Sequence, residues 1–259
     1  MSLNGWYFFM KGIFLQILFA FKRDAVFVCT TLLTLICSGF AFFLGSNAVV
    51  ESQEAKIVYT AGFSRVAIIA GFLIFIIFYI KQMFENREIE VILSRSISRT
   101  KVLIAMFFGF SVVLLTLIAP IMTILIMLKT NLINTIIWCC SVYFEGILVI
   151  SFALCCSLIL NSFIHSLSAC FVMYISGRII GNFTAYLTLS TSTELTAILG
   201  SILKVLSLFI PRLDLFGKTS WLIYGDFSLN DIALFTSQTL AFCSIFLCIA
   251  SIDLKRKNF

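Results

Sequence analysis

Charge is what this sequence has least of. Of 259 residues only 12% are Asp, Glu, Lys or Arg, against the roughly 25% with which a soluble domain covers its surface. Hydrophobic residues supply 61% of the chain and the mean hydropathy is +1.11. Too little polar sequence remains to form a water-facing exterior, which excludes a soluble globular protein. Catalytic equipment is scarce as well. There is no GxxxxGKS or GxxxxGKT phosphate loop, so the chain does not bind ATP by that route, and there is neither HExxH nor GxSxG. The single histidine, His165, sits in a turn-like NSFIHS stretch. An enzyme is not expected, nor is a cofactor in this chain or a nucleic-acid partner. All nine cysteines (29, 37, 139, 140, 155, 156, 170, 243 and 248) fall inside apolar runs. With no CxxC and no Cys–His spacing that suits zinc, they read as small packing residues rather than a disulfide framework or metal ligands. No internal repeat occurs, and no basic n-region or A-x-A-like site marks a cleavable signal peptide.

What is there is apolar sequence in long runs. A membrane-spanning helix takes about 20 such residues, and six segments qualify: Ala25–Ser46, Val66–Ile80, Val102–Leu128, Ile136–Leu160, Leu167–Tyr186 and Ile232–Ser251. The expected fold is an all-α polytopic membrane protein forming one transmembrane domain over residues 1–259. Residues 1–24, rich in aromatics (Trp6, Tyr7, Phe8, Phe9, Phe14, Phe21) with Lys11, Lys22 and Arg23, read as a helix lying in the membrane interface. Residues 187–231 are too long for a simple connector. Within them Leu195–Ile210 has helical apolar spacing, and Pro211 ends it.

Orientation follows from Lys and Arg. With the N-terminus in the cytoplasm, the inner side collects eleven (Lys11, Lys22, Arg23, Lys81, Arg87, Arg95, Arg99, Lys101, Lys255, Arg256 and Lys257). The outer side collects six (Lys56, Arg65, Lys129, Lys204, Arg212 and Lys218). Both termini are therefore expected in the cytoplasm of a cell-membrane protein.

Two ionisable residues fall within the spans, Glu145 and Arg178. Each lies about nine residues from the outer end of its own helix, roughly 13 Å deep at 1.5 Å per residue. An ion pair between antiparallel neighbours fits this spacing. So does a polar transport path, since intramembrane charges mark either packing or function.

The densest cluster of charge is an island, Lys81 to Lys101, reading KQMFENREIEVILSRSISRTK. It holds eight of the chain's thirty charged residues. At roughly 2.5–3.5 kcal/mol per charge at the bilayer centre, it belongs outside the membrane. Within it Val91, Ile92, Leu93 and Ile97 alternate with Ser94, Arg95, Ser98 and Arg99, the pattern of a short surface helix with one apolar and one polar face.

This island resembles the cytoplasmic coupling segment of type-2 ABC exporter permeases: an acidic residue, a Leu-rich turn, a small residue, Arg, Pro, an aliphatic, Ser or Thr, and Arg. Glu90, Leu93, Ser94, Arg95, Ile97, Ser98 and Arg99 match. Ser96 stands where the family has proline, and Arg87–Glu88 where many members have Gly-Thr. IPRLDLF (Pro211, Leu213 and Phe216) before the last span and the basic tail are similar to the family too. The resemblance implies six spans with a coupling helix between the second and third. It also implies a second permease chain, identical or homologous, and a separate ABC ATP-binding subunit that carries ATP and Mg and grips the coupling segment. The absence of charge clusters along the spans favours a lipid, drug-like or otherwise amphipathic cargo, while scattered Ser, Thr and Asn leave a polar one open. Two other classes compete: a proton-coupled carrier using Glu145, and a non-transporting scaffold or regulatory component in the lipid membrane.

Overall fold

The computed structural model describes residues 12, 15–21, 25–47, 51–87, 98–189 and 210–256. Among these, six helices are long and apolar enough to cross a membrane. In chain order they are α1 (Ala25–Ser46), α2 (Ser52–Glu85), α3 (Arg99–Met127), α4 (Leu132–Ile159), α5 (Phe163–Leu189) and α7 (Leu229–Arg256). Between α5 and α7 lie a 3-10 turn (Leu213–Leu215) and a four-residue helix, α6 (Ser220–Ile223). No strand occurs among the described residues. The number of spans agrees with the apolar runs of the sequence, and the chain is an all-helical, multi-pass membrane protein. Helices alternate in direction, which gives the bundle a near end, carrying the 86–98 connection, and a far end, carrying residues 210–228.

Five of the six spans lie close to where the apolar runs place them. The second does not. It starts at Ser52, fourteen residues before Val66, and runs for 34 residues. The expected boundary was drawn at the charge of Arg65, whereas that residue is buried, with 2% of its surface exposed, well inside the helix. A charge ends a span only if nothing inside the protein can pair it, and here something does.

Helices α2 and α4 form the centre. The most apolar windows of both are 72% buried, against 28% for α1 and 17% for α7, so the last two are peripheral and turn most of their side chains outward. Helix α1 packs chiefly on α2, and α4 touches α2, α3, α5, α6 and α7. An aromatic nest of Phe72, Phe75, Tyr79 and Phe110 joins α2 to α3. Phe21 closes it edge-on, its ring centroid 4.7 Å from that of Phe75. Residues 15–21 are thus helical and bury Ile17 and Phe21 against the bundle. The cysteines are free, and Cys139, Cys155, Cys156, Cys170 and Cys243 are buried packing residues.

The charged island is shorter than its sequence suggests, because both of its roots belong to helices. Lys81, 9% exposed, lies in α2 and donates to the carbonyls of Ser157 and Leu160 where α4 ends. Arg99 opens α3 and donates to Leu254 O at 2.8 Å and Lys255 O at 3.4 Å, where α7 ends. The last carbonyls of a helix lack intrahelical partners and carry its negative dipole end, so a cation there is stabilising. Ser98, extended and exposed, precedes α3. Glu90, Leu93, Ser94, Arg95 and Ile97 lie outside the described residues, as does most of the expected Leu195–Ile210 helix.

Helices α3 and α4 meet through a glycine. A Cβ on Gly146 would lie 2.3 Å from Leu114 Cδ2. Gly146→Leu is expected to lower stability by about 1–3 kcal/mol through overpacking, read as a lower thermal midpoint in detergent, whereas Leu substituted at Gly62, which has open space, should leave the midpoint within a degree or so.

Candidate functional site: a buried ionic clamp

Arg65 and Glu145 each sit thirteen residues from the far-end start of their helices, about 20 Å along the axis at 1.5 Å per residue. They meet there. Arg65 Nε donates to Glu145 Oε2 at 2.6 Å and its Nη2 contacts the same oxygen, with side-chain exposures of 2% and 0%. The expectation of a cation at the depth of Glu145 holds, but not on an antiparallel neighbour: the partner lies on α2, which runs parallel to α4. Arg178 does not reach Glu145. It donates through Nη1 to Leu213 O at 2.9 Å and to Phe216 O at 3.4 Å. The expected Glu145–Arg178 pair is therefore corrected to Arg65–Glu145, because the second span extends far enough to bring Arg65 to the same level.

The remaining bonds converge on the segment that precedes α7. Residues 211–223 dip into the far end of the bundle, with Leu213, Phe216, Trp221 and Leu222 at 2% exposure or less. Irregular backbone at membrane depth is tolerated only where the protein satisfies its polar groups. Arg65 Nη1 donates to Gly217 O at 2.9 Å, and Trp138 Nε1 donates to the same oxygen at 3.2 Å. The Gly217 N–H in turn donates to Ser141 Oγ at 2.8 Å. Gly217 has φ +52 and a Cβ there would lie 2.5 Å from Arg65 Nη1, so the turn needs glycine for both its backbone and its close approach.

Helix α5 forms the bed for this segment. Gly177 and Gly181 lie one turn apart in GRIIG and leave its face flat. A Cβ at Gly177 would sit 2.6 Å from Pro211 O, and one at Gly181 1.9 Å from Asp214 Oδ2. Small residues at i and i+4 let the Pro211 backbone and the Asp214 side chain approach the helix in this way. Asp214 is fixed by Arg212 at 2.9 Å. The start of α7 carries a capping box: Ser228 N–H donates to Asp231 Oδ2, and Asp231 N–H donates to Ser228 Oγ, both at 3.1 Å. Lys218 pairs with Asp231 at 3.2 Å.

Three polar atoms in the clamp complete no hydrogen bond among the described residues: Glu145 Oε1, Arg65 Nη2, which only contacts Glu145 Oε2, and the hydroxyl of Tyr174 on α5. Tyr174 lies within electrostatic reach of Glu145, Arg65 and Arg178. The cluster can therefore hold charge and accept one more hydrogen bond, but it contains no nucleophile–base pair. No group of three His, Cys, Asp or Glu suited to a metal is present among the described residues. Sequence reading missed Arg65, Trp138, Ser141, Tyr174 and Gly217. For Arg65 the signal was present, as AKIVYTAGFSRVAII continues in helical sequence through the charge. No family model matches the chain, and no curated protein matches it significantly.

Removing one partner of a buried pair leaves an uncompensated charge, at a cost of about 3–5 kcal/mol. Arg65→Gln and Glu145→Gln are each expected to destabilise on that scale, with the double variant well short of the sum. Arg178→Gln combined with Glu145→Gln should come close to additive. Thermal or denaturant melts of all five variants check this, and additivity between positions 65 and 145 would break the assignment.

Proposed function

We propose that this chain is the membrane subunit of an ATP-driven transporter of the type-2 ABC exporter kind, embedded in the cell membrane with both termini in the cytoplasm. It works with a second permease chain and a separate ATP-binding subunit that supplies ATP and Mg. The observation that carries this reading is the continuity of α2. One end of the helix enters the segment resembling an ABC coupling helix (Glu90, Leu93, Ser94, Arg95, Ile97, Ser98 and Arg99). Its middle grips the backbone that fills the far end of the bundle.

That geometry supplies a lever. From Glu85 to Arg65 is twenty residues, about 30 Å of continuous helix. Lys81 ties the near part of α2 to α4, and Arg99 ties α3 to α7, so a push on the 86–98 connection moves helix pairs rather than a loop. At Arg65 the same displacement pulls on Gly217 O and loosens the 211–223 segment that stops the far end. Alternating access then follows from ATPase motion at one end and release of the clamp at the other. An apolar or amphipathic cargo suits spans whose charges are all engaged in the clamp or at helix ends. With Arg65, Lys81 and Arg99 moved into their helices, nine basic residues remain on the near side against five, and the bias still favours a cytoplasmic near end.

A proton-coupled carrier is the second reading, favoured by the unpartnered Glu145 Oε1 beside Tyr174. Under it, cargo movement continues without ATP and stops in Glu145→Gln.

Arg95→Glu tests the first reading, because it reverses a charge within the segment that resembles the coupling helix. Tagged chain purified from its native membrane in mild detergent is expected to bring down an ATPase. The charge reversal should reduce that yield roughly tenfold or more, the scale of an interfacial arginine hot spot, with helicity unchanged. An undiminished yield, or no ATPase with the unaltered chain, would remove the transporter assignment.

A further inference from the structure

At the near end, α3 and α7 diverge and leave an open groove of about 420 Å³, within the range of about 300–1,000 Å³ typical of small-molecule sites. Its walls are almost wholly apolar, with Leu103 and Ile104 on α3 and Leu247, Cys248 and Ile252 on α7. Ser244 and Ser251, small residues on the same face of α7, leave the space open. Along α7 the groove runs from residue 244 to residue 252, about 12 Å parallel to the helix axis. It is a slot shaped for something narrow and apolar that lies along the membrane normal.

Its mouth has the opposite character. Lys255 lies one turn beyond Ser251 on the stripe that lines the groove, and Lys101 lies one turn before Ile104 on α3; both are exposed. Arg99 bridges the two helices there, donating to the carbonyls of Leu254 and Lys255. The nearest acidic side chain on α7, Asp253, turns to the other face of the helix, toward Cys155 of α4. An apolar slot that opens between cations at a membrane surface is complementary to one kind of molecule, with an acyl chain and an anionic head.

We infer that the α3–α7 groove binds an anionic phospholipid, one acyl chain lying between Leu103 and Cys248 and the phosphate held by Lys101 and Lys255. A phosphate at the mouth balances the two exposed cations at the helix ends, and the chain covers apolar wall of the groove left open among the described residues. The lipid staples α3 to α7, the two helices that Arg99 also joins. This site does not depend on the transport reading, since neither the 88–97 segment nor an ATPase takes part.

Native mass spectrometry of the purified chain, given equal amounts of phosphatidylglycerol and phosphatidylcholine with identical acyl chains, tests it. The unaltered protein is expected to retain phosphatidylglycerol preferentially. Lys101→Gln and Lys255→Gln should each reduce that preference about fivefold, the effect of one surface cation on an anionic lipid. Cys248→Trp should fill the slot and abolish retention of the bound lipid while circular dichroism keeps its helical signal. Equal retention of the two lipids by the unaltered protein would overturn the site, as would retention indifferent to Cys248→Trp. Should Cys248→Trp instead convert a two-chain species to a one-chain species with lipid retention unchanged, the groove holds a second copy of the chain and the lipid assignment falls.

Discussion

Arg65 and Glu145 meet roughly midway along the two most buried helices, where neither charge is stable alone. Each ion taken from water into such an interior loses solvation worth several kcal/mol, and their attraction offsets this only if further hydrogen bonds complete the arrangement. The completion comes from the backbone of a third element. Arg65 reaches past Glu145 to the carbonyl of Gly217, which Trp138 also contacts, while Ser141 accepts from the Gly217 N–H. The pair thus sets the depth of α2 against α4 and the position of the segment before α7. Losing one partner alone would leave the other charge bare at this depth.

The arrangement distributes polar groups by a consistent rule. Four of the cations buried or half-buried within the helices are spent on carbonyls that secondary structure leaves open, while Lys56 lies over the Phe42 ring. Lys81 serves the end of α4, Arg99 the end of α7, Arg178 the Leu213–Leu215 turn and its flank, and Arg65 the Gly217 turn. In hydrocarbon an orphaned carbonyl is costly, and a long cation brings several donors on a flexible stem. The same device therefore joins helices at the near end and fixes irregular backbone at the far end. Basic residues in this chain are consequently poor markers of loops, which is why Lys81 and Arg99, counted as part of a water-exposed island, turn out to be roots of α2 and α3.

The parts legible in the sequence are those governed by local apolar runs. Six spans could be counted, and five placed to within a few residues at most ends, because each run is flanked by polar sequence at the interface. Glu145 was recognisable as an intramembrane charge that needs a partner at equal depth. Its partner was not recognisable, since Arg65 lies eighty positions away and a charge next to a run looks the same whether it terminates the helix or is neutralised inside it. The 211–223 segment was equally hidden. Its burial depends on Gly177 and Gly181, whose flat face acquires meaning only once a backbone lies against it, and on donors from α2, α4 and α5 that no short window contains.

An apolar cluster could hold the far-end segment more strongly than an ion pair, as hydrophobic replacements of buried pairs often do, so its presence calls for a reason beyond stability. Hydrophobic contact weakens gradually as surfaces slide, and it tolerates many registers. The Arg65 guanidinium, in contrast, holds Glu145 and Gly217 O through directed bonds that are either made or broken. On the proposed transport reading, directed bonds of this kind would let the far-end segment respond to motion arriving along α2.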